Sequence, residues 1–90
     1  MSAREIVIYT RSSYCSSCER AKALLKRKGV TFREVDIESD PGVRQELMTR
    51  TGQRTVPQIF IGERHVGGYD DLAALDRSGE LDKLLAQLPR

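Results

Sequence analysis

The feature that most constrains the fold of this 90-residue chain is the order of its first three predicted elements. An almost continuous apolar run predicts a strand over residues 5–10, and such runs are typical of strands buried on both faces. Helical spacing of apolar residues predicts a helix over residues 15–28, with Gly29 as its C-terminal stop. Alternating apolar residues predict a second strand over residues 30–37. A strand–helix–strand unit is a crossover connection, so these two strands should be parallel.

The rest of the chain predicts an antiparallel addition to this unit. A helix should run from about residue 40 to about residue 50, and a β-hairpin should pair residues 58–61 with residues 64–66. A helix from Tyr69 or Asp70 to about Arg77 follows, and an amphipathic helix after it ends the chain. The order predicts a single α/β domain over residues 1–90, with a four-stranded mixed sheet and helices on both faces. This pattern fits a thioredoxin-like domain and also other small α/β domains.

Composition and charge do not favour nucleic acid or a membrane as a partner. The formal net charge is only +2 and the aromatics are three Tyr and two Phe, which does not favour nucleic-acid binding. We interpret the basic run at residues 26–28 as a solvated face at the negative end of the first helix. Residues 1–7 carry charges and no apolar stretch follows them, so we expect no signal peptide, no membrane partner and a cytoplasmic location.

The two cysteines, Cys15 and Cys18, are separated by Ser16-Ser17 at the predicted junction of strand and helix. Residues three apart in the first helical turn share a face and are close enough for a disulfide. The sulfur of Cys15 would meet free N–H groups at the positive helix end, which favours the thiolate and lowers the pKa of Cys15. Cys15 is therefore the predicted nucleophile, and Cys18, one turn inside the helix, is the predicted resolving thiol.

Two other interpretations of the cysteine pair stay open at this point. A closed zinc site needs four ligands, and the chain offers no further Cys and a single His, His65. Two inert, buried cysteines that share this spacing by accident are the second alternative. Two cysteines in a cytosolic protein indicate metal or redox chemistry, or no chemistry, because a structural disulfide is disfavoured there.

Several blocks around the cysteines resemble those of the glutaredoxins, and the resemblance covers nearly the whole chain. The blocks are Ile8-Tyr9-Thr10, the Cys-x-x-Cys pair, residues 21–29 (AKALLKRKG), residues 54–62 (RTVPQIFIG) and residues 66–72 (VGGYDDL). The resemblance implies the thioredoxin fold, glutathione as reductant and co-substrate, and reduction of protein disulfides and glutathionylated proteins. It also leads us to expect a monomer.

A glutathione site in the second half of the chain is implied by the same resemblance. It implies that Pro57 is cis and that the N–H and C=O of Val56 pair with the cysteine moiety of glutathione. Gly68 lets a ligand approach the backbone closely, and the helix start at Tyr69 offers N–H groups to a carboxylate. The Asp70 carboxylate can accept from the ammonium of the γ-glutamyl group, unless it serves only as a helix cap. The remaining predicted glutathione ligands are Thr55, Asp71 and, for the glycyl carboxylate, Arg54.

The chain departs from the family pattern in three places. Ser16-Ser17 stands where Pro-Tyr is usual, and Tyr69 stands where a smaller residue is common. The loop before Cys15 is one residue longer than usual, which puts Arg11 out of step with the family's basic residue and leaves Ser12 as an alternative occupant.

These departures leave two further functions as alternatives. Family members without the active-site proline can hold a [2Fe–2S] cluster between two subunits, which would use Cys15 of each chain and two glutathiones and would make a cluster-bridged dimer. A glutathione-independent redoxin, reduced by thioredoxin reductase, is the second alternative. Such proteins carry a Phe-Arg-Pro segment in place of Gly-Gly–Asp, and this chain lacks that segment.

Overall fold

The computed structural model describes residues 5–88. Residues 1–4 and 89–90 lie outside this range, and part of the signal-peptide prediction falls on residues 1–4. The elements are β1 (Ile6–Thr10), α1 (Ser16–Arg27), β2 (Arg33–Asp36), α2 (Pro41–Thr51), β3 (Gln58–Ile61), β4 (Arg64–Gly67), α3 (Tyr69–Ser78) and α4 (Glu80–Ala86). None of the helices in residues 5–88 is long and apolar enough to span a membrane.

One sheet with the strand order β2-β1-β3-β4 organises the fold. β1 pairs in parallel with β2, where Val7 lies opposite Arg33, and antiparallel with β3, where Ile8 lies opposite Ile59. β4 pairs antiparallel with β3 at the sheet edge. The predicted mixed four-stranded sheet is confirmed, and its central strand β1 is buried along its whole length, as its apolar run predicts.

The two faces of the sheet carry separate apolar cores, because successive side chains of a strand point to opposite faces. One core contains side chains of β1, β3 and the helices α1, α3 and α4: Ile6, Ile8, Ala21, Leu24, Leu25, Ile59, Ile61, Leu72 and Leu81. The other contains side chains of β1, β3 and α2, with Ile37: Val7, Tyr9, Ile37, Leu47 and Phe60. Helices therefore lie on both faces, as predicted.

Hydrogen bonds and ion pairs connect β1, β2 and α1 on the outside of the sheet. The Thr10 hydroxyl donates to the Glu34 carboxylate at 2.7 Å, and the Lys22 ammonium lies 3.2 Å from the same carboxylate oxygen. The hydrogen bond from Thr10, followed by that from Lys22, lowers the pKa of Glu34 below its ordinary value. The ionised carboxylate is therefore the form that this contact stabilises.

Two predictions about the first half of the chain need correction. β2 is shorter than the predicted strand over residues 30–37, because Val30 and Phe32 pack against the core without pairing in the sheet. Lys28 is not part of a solvated face: its ammonium lies 2.7 Å from Asp76 in α3 and 2.9 Å from Asp82 in α4. This lysine therefore joins the end of α1 to the last two helices. Its hydrogen bond to Asp76, followed by that to Asp82, raises the pKa of Lys28 above its ordinary value.

Candidate functional site

Cys15 is the N-cap residue of α1 and retains an extended backbone, with φ −147°. Its C=O accepts from the Glu19 N–H at 3.1 Å, and its Sγ accepts from the Cys18 N–H at 3.2 Å. A disulfide joins Cys15 to Cys18, whose Cα atoms are 5.2 Å apart. Cys15 is 7% exposed and Cys18 is 1% exposed, so Cys15 is the more accessible of the two. The sulfur that lies at the helix start is thus already in contact with a backbone N–H donor.

The loop before Cys15, in which the resemblance implies an extra residue, is fixed by Glu38. The Glu38 carboxylate accepts from the Ser12 hydroxyl at 2.8 Å and from the Ser13 N–H and hydroxyl at 2.9 and 3.1 Å. The backbone N–H of Ser13 is the main cause that lowers the pKa of Glu38. Arg11 donates through its guanidinium to the Tyr14 C=O at 2.9 and 3.2 Å. Of the two candidates for the family's basic position, Arg11 therefore binds within the loop, and Ser12 binds Glu38, beyond the end of β2.

A cavity of about 470 Å³ opens between the start of α1, the segment before β3 and the start of α3. It is lined by Ser17, Gln53, Thr55, Val56, Pro57, Gln58, His65, Val66, Gly67, Gly68, Tyr69, Asp70 and Asp71. All the predicted glutathione ligands except Arg54 line this cavity. The three segments that the sequence separates by up to about fifty positions therefore come together beside the cysteine pair.

The wall of the cavity before β3 presents free backbone groups. The Val56–Pro57 peptide bond is cis, as the resemblance implied. None of the hydrogen bonds found within residues 5–88 uses the Val56 N–H or C=O. Thr55, immediately before Val56, accepts from the Gln58 side-chain amide at both its C=O and its hydroxyl, at 3.1 and 3.2 Å. An extended ligand could therefore pair with Val56 without displacing a bond.

The opposite wall is the start of α3, where Asp71 and not Asp70 makes the capping contact. The Asp71 carboxylate accepts from the Gly68 N–H at 3.1 Å, so the alternative of Asp70 as the helix cap is wrong. Gly67 has φ +116°, and a side chain there would also collide with the Asp71 carboxylate, so both conditions require glycine. The first N–H groups of α3 have no intrahelical acceptor, and the exposed Asp70 carboxylate lines the cavity beside them.

Arg54 lies apart from the other predicted ligands. It lines a second groove of about 300 Å³, together with Pro41, Arg44, Gln45 and Met48 of α2. Its two neighbours in sequence, Gln53 and Thr55, both line the main cavity. Among the residues that line the main cavity there is no Lys or Arg in the described part of the chain.

Sequence reasoning missed several cavity residues. Gln53, Gln58, His65 and Ser17 all line the cavity and were not predicted as ligands. Ser17 could have been found from its place between the cysteines. Gln58 could have been found as the polar residue of the otherwise apolar strand β3, whereas His65 stands beside Arg64 and carries no such signal.

No group of three His, Cys, Asp or Glu side chains within residues 5–88 is placed to share a metal ion. The cysteine pair therefore has no further donor of these kinds for a closed zinc site built from the described residues. The disulfide, the N-cap position and the adjacent cavity instead suit thiol–disulfide exchange.

Known proteins are similar to this chain in sequence and in fold. A family model described as Glutaredoxin matches residues 6–66. A glutaredoxin of Pseudomonas aeruginosa is 56% identical over 81 residues, which cover 90% of this chain and 95% of that protein. Glutaredoxin 3 of Escherichia coli is 52% identical over 80 residues, 89% of this chain and 95% of that protein. The crystal structure of a buckwheat glutaredoxin–glutathione complex superposes with a TM-score of 0.84 at 31% identity, covering 92% of this chain and 77% of that one. The chain therefore belongs to the glutaredoxin family, whose general activity is glutathione-dependent thiol–disulfide oxidoreduction.

Proposed function

We propose that this glutaredoxin reduces glutathione mixed disulfides of proteins, with Cys15 as nucleophile and glutathione bound in the 470 Å³ cavity. The observation that carries the proposal is the placement of this cavity. It begins at the helix turn that holds the cysteines and ends at the first turn of α3. Its volume lies within the range of about 300–1,000 Å³ that is usual for small-molecule sites.

In the proposed reaction, the Cys15 thiolate attacks the glutathione sulfur of a mixed disulfide. The sulfur–sulfur bond to the substrate protein breaks, and the protein leaves as a thiolate that takes up a proton. A second glutathione thiolate then attacks the Cys15–glutathione disulfide, which returns the Cys15 thiolate and yields oxidised glutathione. For a protein disulfide, Cys18 can displace the substrate from Cys15 and form the Cys15–Cys18 disulfide.

Backbone groups would bind most of the glutathione molecule. The free N–H and C=O of Val56 suit the cysteinyl residue, which would add as a short β-bridge. The N–H groups at the start of α3, at Tyr69 and Asp70, suit the γ-glutamyl carboxylate because of their position at a positive helix end. The Asp70 carboxylate suits the γ-glutamyl ammonium. Thr55, Pro57, Gly68 and Asp71 would shape the two walls.

The glycyl carboxylate is the part of glutathione for which the cavity offers the weakest binding partners. Arg54 remains our proposed cation for it, although its side chain lines the neighbouring groove and would have to turn toward the cavity. The Gln53 amide already lines the cavity and is a neutral donor for the same carboxylate. We expect the charge of Arg54 to contribute little, because exposed ion pairs contribute about 0.2–1 kcal/mol.

A glutathione-reductase-coupled assay of NADPH oxidation tests the proposal with a small glutathione mixed disulfide as substrate. Cys15→Ser should abolish turnover, since a hydroxyl does not ionise near pH 7. Cys18→Ser should keep most of the turnover, because glutathione itself resolves the intermediate, and should lose activity only on protein disulfides. Equal losses in the two variants would contradict the mechanism. Reduction of a protein disulfide with NADPH and thioredoxin reductase in place of glutathione would favour the redoxin alternative.

The oligomeric state and the cellular setting belong to the same proposal. We propose a monomer in the cytoplasm, where glutathione supplies the electrons. The [2Fe–2S] alternative would require Cys15 of two chains and predicts visible absorption by anaerobically purified protein that Cys15→Ser removes and Cys18→Ser retains. A colourless monomer that turns over mixed disulfides would exclude the cluster as its principal role.

A further inference from the structure

A buried amide connects the edge strand β4 to the cavity wall before β3. Gln58, at the first position of β3, is 4% exposed. Its Nε2 donates to the Thr55 C=O at 3.1 Å and to the Thr55 hydroxyl at 3.2 Å. Its Oε1 lies 2.7 Å from the His65 Nε2. Every hydrogen-bonding atom of this side chain therefore has a partner, and all three residues line the cavity.

The direction of each hydrogen bond among Thr55, Gln58 and His65 is fixed by the groups present. The Gln58 amide nitrogen must face Thr55, since a flipped amide would set its oxygen against the Thr55 carbonyl oxygen. The Gln58 oxygen is then the acceptor and the His65 Nε2 must carry the proton. The neutral Nε2-protonated ring and the imidazolium both satisfy this condition, so the donor is present in either charge state.

The position of His65 is set by an irregularity in the hairpin. Ile59 pairs with Gly67 while the next residue, Phe60, pairs with His65, so Val66 is an extra residue on β4. Residues directly opposite in a sheet share a face. The imidazole consequently stacks on the Phe60 ring, with centroids 4.9 Å apart and planes at 26°. The ring is therefore held by both its flat face and its Nε2.

We propose that His65 is a positioning residue for glutathione, acting through Gln58 on the peptide that joins Thr55 to Val56. The Thr55 C=O and the Val56 N–H belong to one planar peptide unit and point in opposite directions. Fixing the carbonyl by the Gln58 amide therefore fixes the direction of the Val56 N–H. The inference rests on the proposed function, in which that N–H pairs with glutathione.

Loss of the His65 donor should loosen this peptide. The Gln58 oxygen would remain in a buried site without a partner, and a buried unsatisfied acceptor is costly. The amide would then turn toward water or toward another donor and release Thr55. Glutathione binding should weaken, while the Cys15 sulfur, whose donor is the Cys18 N–H, should be unaffected.

The test compares His65→Phe, Gln58→Leu and the double variant in the coupled assay, with Arg64→Ala, at an exposed position outside the cavity, as control. His65→Phe keeps a ring to stack on Phe60 and removes the donor. We expect it to raise KM for the glutathione mixed disulfide about fivefold or more, with kcat within about twofold and an unchanged Cys15 titration. The control should leave KM unchanged.

The double variant separates positioning from direct contact. If His65 acts through Gln58, the double variant should show the KM of Gln58→Leu alone, because the second change removes nothing further. Additive effects would mean that His65 contacts glutathione itself and would overturn the inference, as would an unchanged KM in His65→Phe. Should Gln58→Leu fail to fold, Gln58→Met, which also removes both polar atoms of the amide, takes its place in the same comparison. A wild-type protein without glutathione-dependent turnover would instead refute the proposed function.

Discussion

In the reduced protein, about half of the Cys15 thiol should be ionised at pH 7. The Cys18 N–H lies 3.2 Å from the Cys15 sulfur, and a hydrogen bond to a charged acceptor contributes about 1.5–3 kcal/mol. The start of α1 adds about 0.3–1 kcal/mol for a negative charge at the helix N-terminus. Together these favour the thiolate by about 2–4 kcal/mol, which is about 30-fold or more in the ratio of thiolate to thiol.

Burial works against this gain and decides which end of the range applies. Cys15 is only 7% exposed, and loss of water disfavours the charged form. We therefore take the lower end, near 30-fold. A free thiol with the reference pKa of about 8.5 is about 3% ionised at pH 7, and a 30-fold increase in the ratio brings Cys15 to about half.

Thiolate absorbance near 240 nm, followed against pH, measures this ionisation. Cys18→Ala is the suitable protein, because it keeps the backbone N–H and removes the second thiol. The double variant Cys15→Ser/Cys18→Ala has no thiol and supplies the baseline. The midpoint should fall well below the reference value for a thiol. A midpoint at or above about 8.5 would refute the assignment of Cys15 as a nucleophile activated by the helix start.

Two further perturbations test the binding site and the fold. Asp70→Asn should raise KM for glutathione about two- to fivefold in the coupled assay, which is the effect expected for loss of an exposed charge partner. Arg54→Ala, outside the cavity, should change KM by less than about twofold. A larger effect of Arg54→Ala than of Asp70→Asn would contradict the placement of the γ-glutamyl group. Glu34→Gln should lower the free energy of unfolding at pH 7 by less than about 1 kcal/mol, because the ion pair of Glu34 is partly exposed. Since the pKa of Glu34 is lowered in the folded protein, its contribution is present above the ordinary carboxyl pKa and lost as pH falls through the folded value. Urea titrations should therefore show a difference at pH 7 that shrinks as the pH is lowered into the acid range, and a difference that does not shrink in acid would refute this origin.

The sequence predicted the elements whose signal is local. The apolar run of β1 and the Asp40-Pro41 helix start were located within a residue or two, because propensity and capping depend on neighbouring residues. The strand over residues 30–37 was too long because alternation reports burial, and Val30 is partly buried by packing rather than by pairing. Lys28 was misjudged because its two carboxylate partners lie about fifty residues further along the chain.

The residues of the candidate site also divide into those that a local signal predicts and those whose place depends on the fold. The cysteine pair and the start of α3 were found from spacing, since their chemistry depends on a helix end that the sequence marks. Gln58 and His65 were missed because their contact depends on the extra residue in β4, which no local signal announces. The place of Arg54 was also beyond prediction, because it lines a groove along α2 that only the folded chain forms.

The groups proposed to act on sulfur and glutathione in this protein are mostly backbone groups, and the nearby side chains serve to hold them. Glu38 fixes the loop before the nucleophile, Gln58 fixes the peptide before Val56, and Asp71 fixes the first turn of α3. A backbone donor is unchanged by substitution of its own side chain, so Ser16-Ser17 can replace the family's usual pair without removing the N–H that contacts the sulfur. Substitutions at the holding side chains should therefore affect binding and turnover more than substitutions between the two cysteines.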